Sequence, residues 1–372
     1  MKEALTFDDV CLVPQYNNVA SRVAKSGKHK IDLSAYLFSY GRHRIDVPIL
    51  AANMDTVTGP ELARELIKWG TTPIFHRFTD FETKLSWVKE FDSKMILSVG
   101  TSKDDIAELQ ELLRGAESSI GGICIDIAHG HSEAMLTTIK SVKKVLPDLP
   151  IIAGNVCTAI ATQDLITAGA DCIKVGIGPG AACTTRMQTG FGVPQFTAIR
   201  ECSRVAKKFK TPIIADGGIR GPNDIAKALA AGASCVMMGK MFALTKESAA
   251  EKAQEPLVET SKEFIPAGSD GNEIDSVKTT LTAGPLMAKY RGQASKDFQD
   301  EFKGGLKPGT VAEGEAFWAP VTGTVEDLLN ELTGALRSAF TYAGAKHLGE
   351  FQDKVEFRKV CSAYLTESNI RK

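Results

Sequence analysis

The chain has 372 residues, with 44 Lys plus Arg against 45 Asp plus Glu and a formal net charge of −1. That balance excludes a strongly basic nucleic-acid binder and an acidic disordered tail as the main theme, though a local basic pocket for a phosphate stays open. Hydrophobic residues make up 43% and charged residues 24%, an ordinary globular composition in a chain long enough to bury a large core. The opening MKEALTFDDVCLVP holds no long apolar stretch, and no run approaches 18 apolar residues. Neither a secretory signal nor a membrane span is expected, and the expected location is cytoplasmic. The eight cysteines form no C-x-x-C pair, so they read as reduced and mostly as small buried hydrophobes.

Short apolar, β-branched runs then recur with amphipathic stretches between them. Strands are predicted near 47–51, 72–75, 94–99, 122–127, 150–153, 171–175, 212–215 and 234–238. Their runs are continuous rather than alternating, as in a parallel sheet covered on both faces. Helices are predicted over 59–69, 82–91, 102–114, 131–145, 159–168, 195–208 and 222–231. Ala-Gly-Ala at 168–170 and at 231–233 would close two of them with a left-handed glycine. Eight β/α units in this length argue for one α/β domain, a (β/α)8 TIM barrel over 1–372, against a doubly wound open sheet. The eighth helix is late. A polar stretch over 245–322 separates Met238 from the amphipathic run 324–338 and reads as a flap-like insertion, either a lid or a disordered segment.

In a barrel, chemistry belongs to the loops after the strands. Those positions hold Asn53 and Asp55, His76 and Arg77, Asp126, His129 and His131, Asn155, Gly176 to Gly180 with Cys183, Asp216 to Gly218, and Gly239. Each alone is explained as a turn residue or a helix cap; the set at matching ends is not. The loop GIGPGAACTTRMQTGFGVP contains a G-x-G-x-x-A pattern, but no helix follows directly, so a Rossmann reading fails. The glycines instead suit a mobile or ion-binding loop that brings backbone close to a ligand. Cys183 lies among Gly, Ala and Thr rather than in an apolar strand, which marks it as a nucleophile candidate. The loops ADGGIRGPND and MGKMF resemble a barrel phosphate site, with the N–H groups of Gly217, Gly218 and Gly239 as donors and Asp216 as an acceptor for ribose hydroxyls. The His129-x-His131 pair lacks a completing ligand cluster, so no metal site is assigned to it.

Taken together, LTFDDVCLVP, AANMDTV, FHRF, IDIAHGHS, AGNV, KVGIGPGAACTTR, ADGGIR, KYRGQAS and LRSAFTYAGA resemble the inosine monophosphate dehydrogenase / guanosine monophosphate reductase family. The resemblance spans nearly the whole chain. It implies a (β/α)8 barrel, an assembly of four or more subunits, and chemistry at C2 of a purine mononucleotide (GMP or IMP). Within the family the chain is closest to the reductase. FHRFTDFETKLSWVKEF runs on without room for the paired regulatory module common in dehydrogenases. Lys296-Asp297-Phe298-Gln299 stands where the dehydrogenase carries an Arg-Tyr pair to activate water, and VAEGEAFWAPVTG aligns on the reductase segment around its catalytic Glu, which places Glu313.

The implied reaction is NADPH-dependent reductive deamination of GMP to IMP and ammonia through a covalent Cys183 thioimidate, with Thr185 and Glu313 handling the proton. By the same resemblance Met54, Asp216, Gly217, Gly218, Gly239, Lys240, Tyr290 and Gly292 hold the nucleotide. Asp126, Ala128, His129, Asn155 and Arg77 face the cofactor, and carbonyls of Gly176, Gly178 and Cys183 hold a potassium ion. Arg77 is either the partner of a 2′-phosphate or a solvated surface arginine. Two residues depart from the family pattern: Ala181 replaces a phosphate-binding Ser, and Lys240 replaces a small residue, supplying a charged donor or blocking the old site. The alternatives are a dehydrogenase lacking the regulatory module and an inactive nucleotide-binding homologue.

Overall fold

The computed structural model describes residues 3–19, 30–116, 120–265 and 274–368. Eight parallel strands form one sheet: β1 (Ile49–Ala51), β2 (Ile74–Phe75), β3 (Ile96–Val99), β4 (Gly122–Asp126), β5 (Ile151–Val156), β6 (Cys172–Val175), β7 (Ile213–Asp216) and β8 (Cys235–Met238). The neighbour order is β1-β8-β7-β6-β5-β4-β3-β2. β8 pairs back onto β1, with Met238 opposite Ala51, so the sheet is a barrel closed except between β1 and β2. There the Thr71 hydroxyl donates to the Ile49 carbonyl at 2.8 Å and ties the seam. Every residue of β3, β6 and β8 is buried, as their unbroken apolar runs require.

The outer helices are α1 (Pro60–Lys68), α2 (Phe81–Phe91), α3 (Lys103–Ala116), α4 (Glu133–Val145), α5 (Ala159–Ala168), α6 (Gln195–Ala206), α7 (Pro222–Ala230) and α8 (Val325–Tyr342). Their ends follow local chemistry. Asp80, Ser132 and Thr158 each accept a backbone N–H as N-caps of α2, α4 and α5. Pro60 and Pro222 open α1 and α7, where their missing N–H costs nothing. Gly169 and Gly232 adopt φ of +117° and +112° after α5 and α7. α8 starts with a Thr324–Asp327 capping box and buries Val325, Leu329, Leu332, Leu336 and Phe340 on one stripe.

A hairpin of Ala35–Phe38 and Arg42–Ile45 closes the N-terminal end of the barrel. Its Phe38 ring lies so close under Gly122 that a Cβ there would come within 2.8 Å. The polar stretch read as a lid or a disordered segment is neither a bare loop nor a helix. It contains an antiparallel hairpin, β9 (Lys252–Ile265) and β10 (Ile274–Arg291), and a third strand, β11 (Ala316–Pro320), paired to the base of β10. Between β10 and β11 lies a flap helix, Lys296–Lys303, capped by Ser295. The hairpin's tip, 266–273, is outside the described residues.

Candidate active site

The strand ends and the flap enclose a cavity of about 640 Å³ at the C-terminal mouth of the barrel, large enough for a mononucleotide beside part of a dinucleotide. Cys183 stands on its wall, half-buried. The loop that carries it is built on close backbone approach: a Cβ on Gly176 would meet the Asp216 carbonyl at 2.0 Å. The Cys183 N–H donates to the Gly180 carbonyl at 3.1 Å. The loop is also stitched to the flap's return segment. Thr184 N–H donates to the Glu313 carbonyl and Glu315 N–H to the Ala182 carbonyl, both at 2.9 Å. These bonds bring together side chains 128 positions apart. The Cys183 thiol donates to Thr185 Oγ1 at 3.3 Å, and the Thr185 hydroxyl donates to Glu313 Oε2 at 2.8 Å. Thiol, hydroxyl and carboxylate thus form one proton path, the arrangement that activates a nucleophile through a neighbouring base. Cys124, Cys172, Cys202 and Cys235 are buried instead. Burial pushes their thiols up, that of Cys202 to about 12, which keeps them inert.

A second group forms a cradle. Gly217, Gly218 and Gly239 line the cavity beside Gly180 and Ala181. The Gly217 amide reaches the Met237 carbonyl at 3.4 Å, whereas the amides of Gly218 and Gly239 make no hydrogen bond among the described residues. Gly239 must lack a side chain, because a Cβ would lie 2.4 Å from the Tyr290 hydroxyl. Tyr290 is delivered by β10, and its hydroxyl donates to Met54 Sδ at 3.7 Å. Burial, then the Asp216 and Cys183 charges, hold that phenol above its usual range. Lys240 follows Gly239, is exposed, and holds its ammonium 5.3 Å from the Phe317 ring centre.

Buried among the strand ends is a polar network. Lys174 Nζ lies 2.9 Å from Asp126 Oδ1 and 2.8 Å from Asp216 Oδ2. Asn53 Nδ2 donates to Asp126 and to Ser98, and Asn155 Nδ2 donates to Asp216 and to the Gly176 carbonyl. Gln195 Nε2 bridges the carbonyls of Val175 and Asp216. Gln293, on the flap, donates to the Asn53 carbonyl.

All of the site residues inferred from the resemblance except His129 line this one cavity; His129 is exposed and lies outside its wall. Arg77 is half-buried, not a solvated surface arginine. Its guanidinium stacks 4.5 Å over Phe78, stands 3.9 Å from Asp105, and leaves a buried Nε without a partner among the described residues. Lys303 and Lys307 of the flap line the same end. His131 pairs with Asp164 at 2.9 Å. Lys174, Ser98, Gln195 and Gln293 were not singled out from the sequence. Lys174 had a signal: it is the one charge in the otherwise apolar strand CIKV.

The fold and the cavity define a (β/α)8 barrel with a thiol–hydroxyl–carboxylate site at the strands' C-terminal mouth. The IMP dehydrogenase / GMP reductase domain family matches residues 4–371, and the chain belongs to that family. It is similar to a GMP reductase of Vibrio vulnificus (strain YJ016), 35% identical over 362 residues, covering 96% of this chain and 94% of the relative. It is also 34% identical to a GMP reductase of Shewanella pealeana, with the same coverage. Similarity to GMP reductase 2 of Bos taurus is 34% over 365 residues, again 96% and 94% of the two chains.

Proposed function

We propose that the chain is a GMP reductase, converting GMP and NADPH to IMP, ammonia and NADP with uptake of one proton. The observation that carries the reading is the path from Cys183 through Thr185 to Glu313. Loss of the thiol proton along that path gives the thiolate the chemistry needs. The sulfur bonds to C2 of the purine and the C2–N bond breaks. Its electron pair leaves on ammonia, which takes a proton back from Glu313 through Thr185. The nucleotide stays on Cys183 as a thioimidate. When bound, the reduced nicotinamide supplies a hydride to C2; the C–S bond then breaks, and thiolate and IMP separate. In the cradle, the free amides of Gly218 and Gly239 with Lys240 bind the 5′-phosphate, the ammonium acting as a point charge in place of the hydroxyl that Ala181 lacks. Asp216 accepts from the ribose.

Asp126, Ala128 and Asn155 face the dinucleotide, and Arg77, with its unpartnered Nε, meets its phosphate. His129 has no part in this reading, since it stands outside the wall. A monovalent cation, potassium, fits the Cys183 loop in part. The Gly178 and Cys183 carbonyls accept no hydrogen bond among the described residues, while that of Gly176 already takes Asn155. Neutral carbonyl oxygens suit a hard cation.

The test follows nicotinamide absorbance in two mixtures. Loss of the reduced band with GMP and NADPH is expected. A gain with IMP and NAD would instead make the chain a dehydrogenase, and no change in either would make it a non-catalytic nucleotide binder.

A further inference from the structure

A second cavity, of about 570 Å³, lies at the end of the barrel opposite Cys183. Its base is where strands begin: Pro212 and Ile213 lead into β7, and Ser234 precedes β8. One wall is the hairpin that closes the N-terminal end of the barrel, and another is the turn Lys207–Phe209 after α6. The volume is that of a small-molecule site. Its charge is one-sided. Asp32 is the one acid on the wall among the described residues, and it faces Arg44 at 3.7 Å; Arg44 also pairs with Asp46 at 2.6 Å. Lys207 and Lys210 line the same cavity, and neither ammonium has an ion pair or hydrogen bond among the described residues. The Lys207 stem turns toward the loop between α7 and β8, its Cε 3.9 Å from where a Cβ on Gly232 would stand. Lys210 has a φ of +54°, and its N–H closes the turn on the Lys207 carbonyl at 3.2 Å. Glycine or asparagine is the ordinary residue at such a left-handed position, so the lysine is held there against local preference. The Ser234 hydroxyl makes no hydrogen bond among the described residues, and Tyr36, 49% exposed, adds a ring to the wall.

We propose that this cavity is a second binding site, separate from the catalytic mouth, for a small phosphorylated ligand. Two ammonium groups without carboxylate partners match the two charges of a phosphate monoester or of linked phosphates, which lysine binds as a point charge. A cleft lined by one sign of charge concentrates such anions from solution. Ser234 supplies a neutral donor beside them. A ligand that also carries a base stacks it on Tyr36. A bare polyphosphate and a nucleotide therefore share the two lysines and differ at the tyrosine. No described residue lines both cavities, so binding here does not rest on the reaction proposed at Cys183.

Lysine footprinting of the unmodified protein tests the site. The chain is acetylated briefly with acetic anhydride in pyrophosphate, in ATP, or in sodium chloride of the same ionic strength, and labelled peptides are quantified by mass spectrometry. At ten times the dissociation constant of a probe, labelling of Lys207 and Lys210 should fall about tenfold relative to sodium chloride. Lys103 and Lys140, exposed and outside the cavity, should keep their rates. In Lys207→Gln, protection of Lys210 should need about tenfold more probe, because one charged donor is gone. Pyrophosphate protecting at least as well as ATP identifies a site for bare linked phosphates. ATP protecting at about tenfold lower concentration, with that gain lost in Tyr36→Ala, identifies a nucleotide site. Labelling of Lys207 and Lys210 unchanged by both probes, or lowered equally at Lys103 and Lys140, would overturn the proposal.

Discussion

Glu313 is half-buried and hydrogen-bonded to a threonine that itself meets the reactive thiol. In the proposed reaction it holds the proton that leaves the Cys183 thiol and returns to the departing ammonia. Glu313→Gln keeps the shape and the hydrogen bond but cannot store that proton. The expected result is a fall in kcat of about 10²–10³-fold with the GMP dissociation constant changed by less than about threefold, as for a general acid–base group. Pre-steady-state measurement of ammonia release checks it; an unchanged rate would remove Glu313 from the role. Thr185→Val should mimic the loss, since it breaks the same path without touching Cys183 or Glu313.

At the scale of elements, the flap matters because part of the cavity wall hangs on it. Tyr290 comes from the end of β10, and Gly292, Gln293 and Glu313 from the segment between β10 and β11. The flap is fixed by Arg291, which is 7% exposed. Its guanidinium bonds Asp55 after β1 and Glu301 of the flap helix, and lies over the rings of Phe298 and Phe302. Burial raises the Asp55 carboxyl, with the Arg291 bonds opposing it. Arg291→Leu therefore strands a buried carboxylate. It should cost about 3 kcal/mol in urea unfolding and open the 292–315 backbone to protease. Adding Asp55→Asn should recover part of the loss, because the cost comes from the unpaired charge. A loss below about 1 kcal/mol would place this latch among surface pairs of little weight.

The whole molecule was legible in outline because a parallel barrel writes its strands as unbroken apolar runs and its sites at their ends. The eight barrel strands and the seven outer helices α1 to α7 were placed from that pattern, within a few residues, whereas the strands Val10–Val13, Ala35–Phe38 and Arg42–Ile45 and the short helices Thr185–Thr189 and Lys240–Ala243 were not. The flap was not legible: β9 and β10 mix Thr, Lys and Glu with scattered apolar residues, and their pairing lies outside the barrel sheet, so no unbroken apolar run marks them. Nor was the Lys174 network, since a lysine in a strand becomes meaningful only once two distant aspartates are known to meet it. Burial also sets the molecule's response to acid. His76, at the end of β2, is 7% exposed and pressed among Phe78 and Trp87. Burial, then the charges of Lys84 and Arg291, pull its pKa from 6.5 down to about 4. The unfolded chain therefore takes up a proton near pH 6.5 that the folded one refuses until about pH 4. Stability present above pH 6.5 is lost as pH falls through that window, by about 2 kcal/mol between pH 7 and 4.5. Urea titrations of the wild type and His76→Gln at both pH values check this; an equal loss in the variant would assign the acid sensitivity elsewhere.

The most direct measurement is mass spectrometry of the protein quenched in acid during turnover of GMP and NADPH, with the cysteine peptides separated. The account predicts a peptide containing Cys183 that has gained the nucleotide less one ammonia, absent in Cys183→Ala, which should also have no turnover. An adduct on another cysteine, or full turnover by Cys183→Ala, would contradict it.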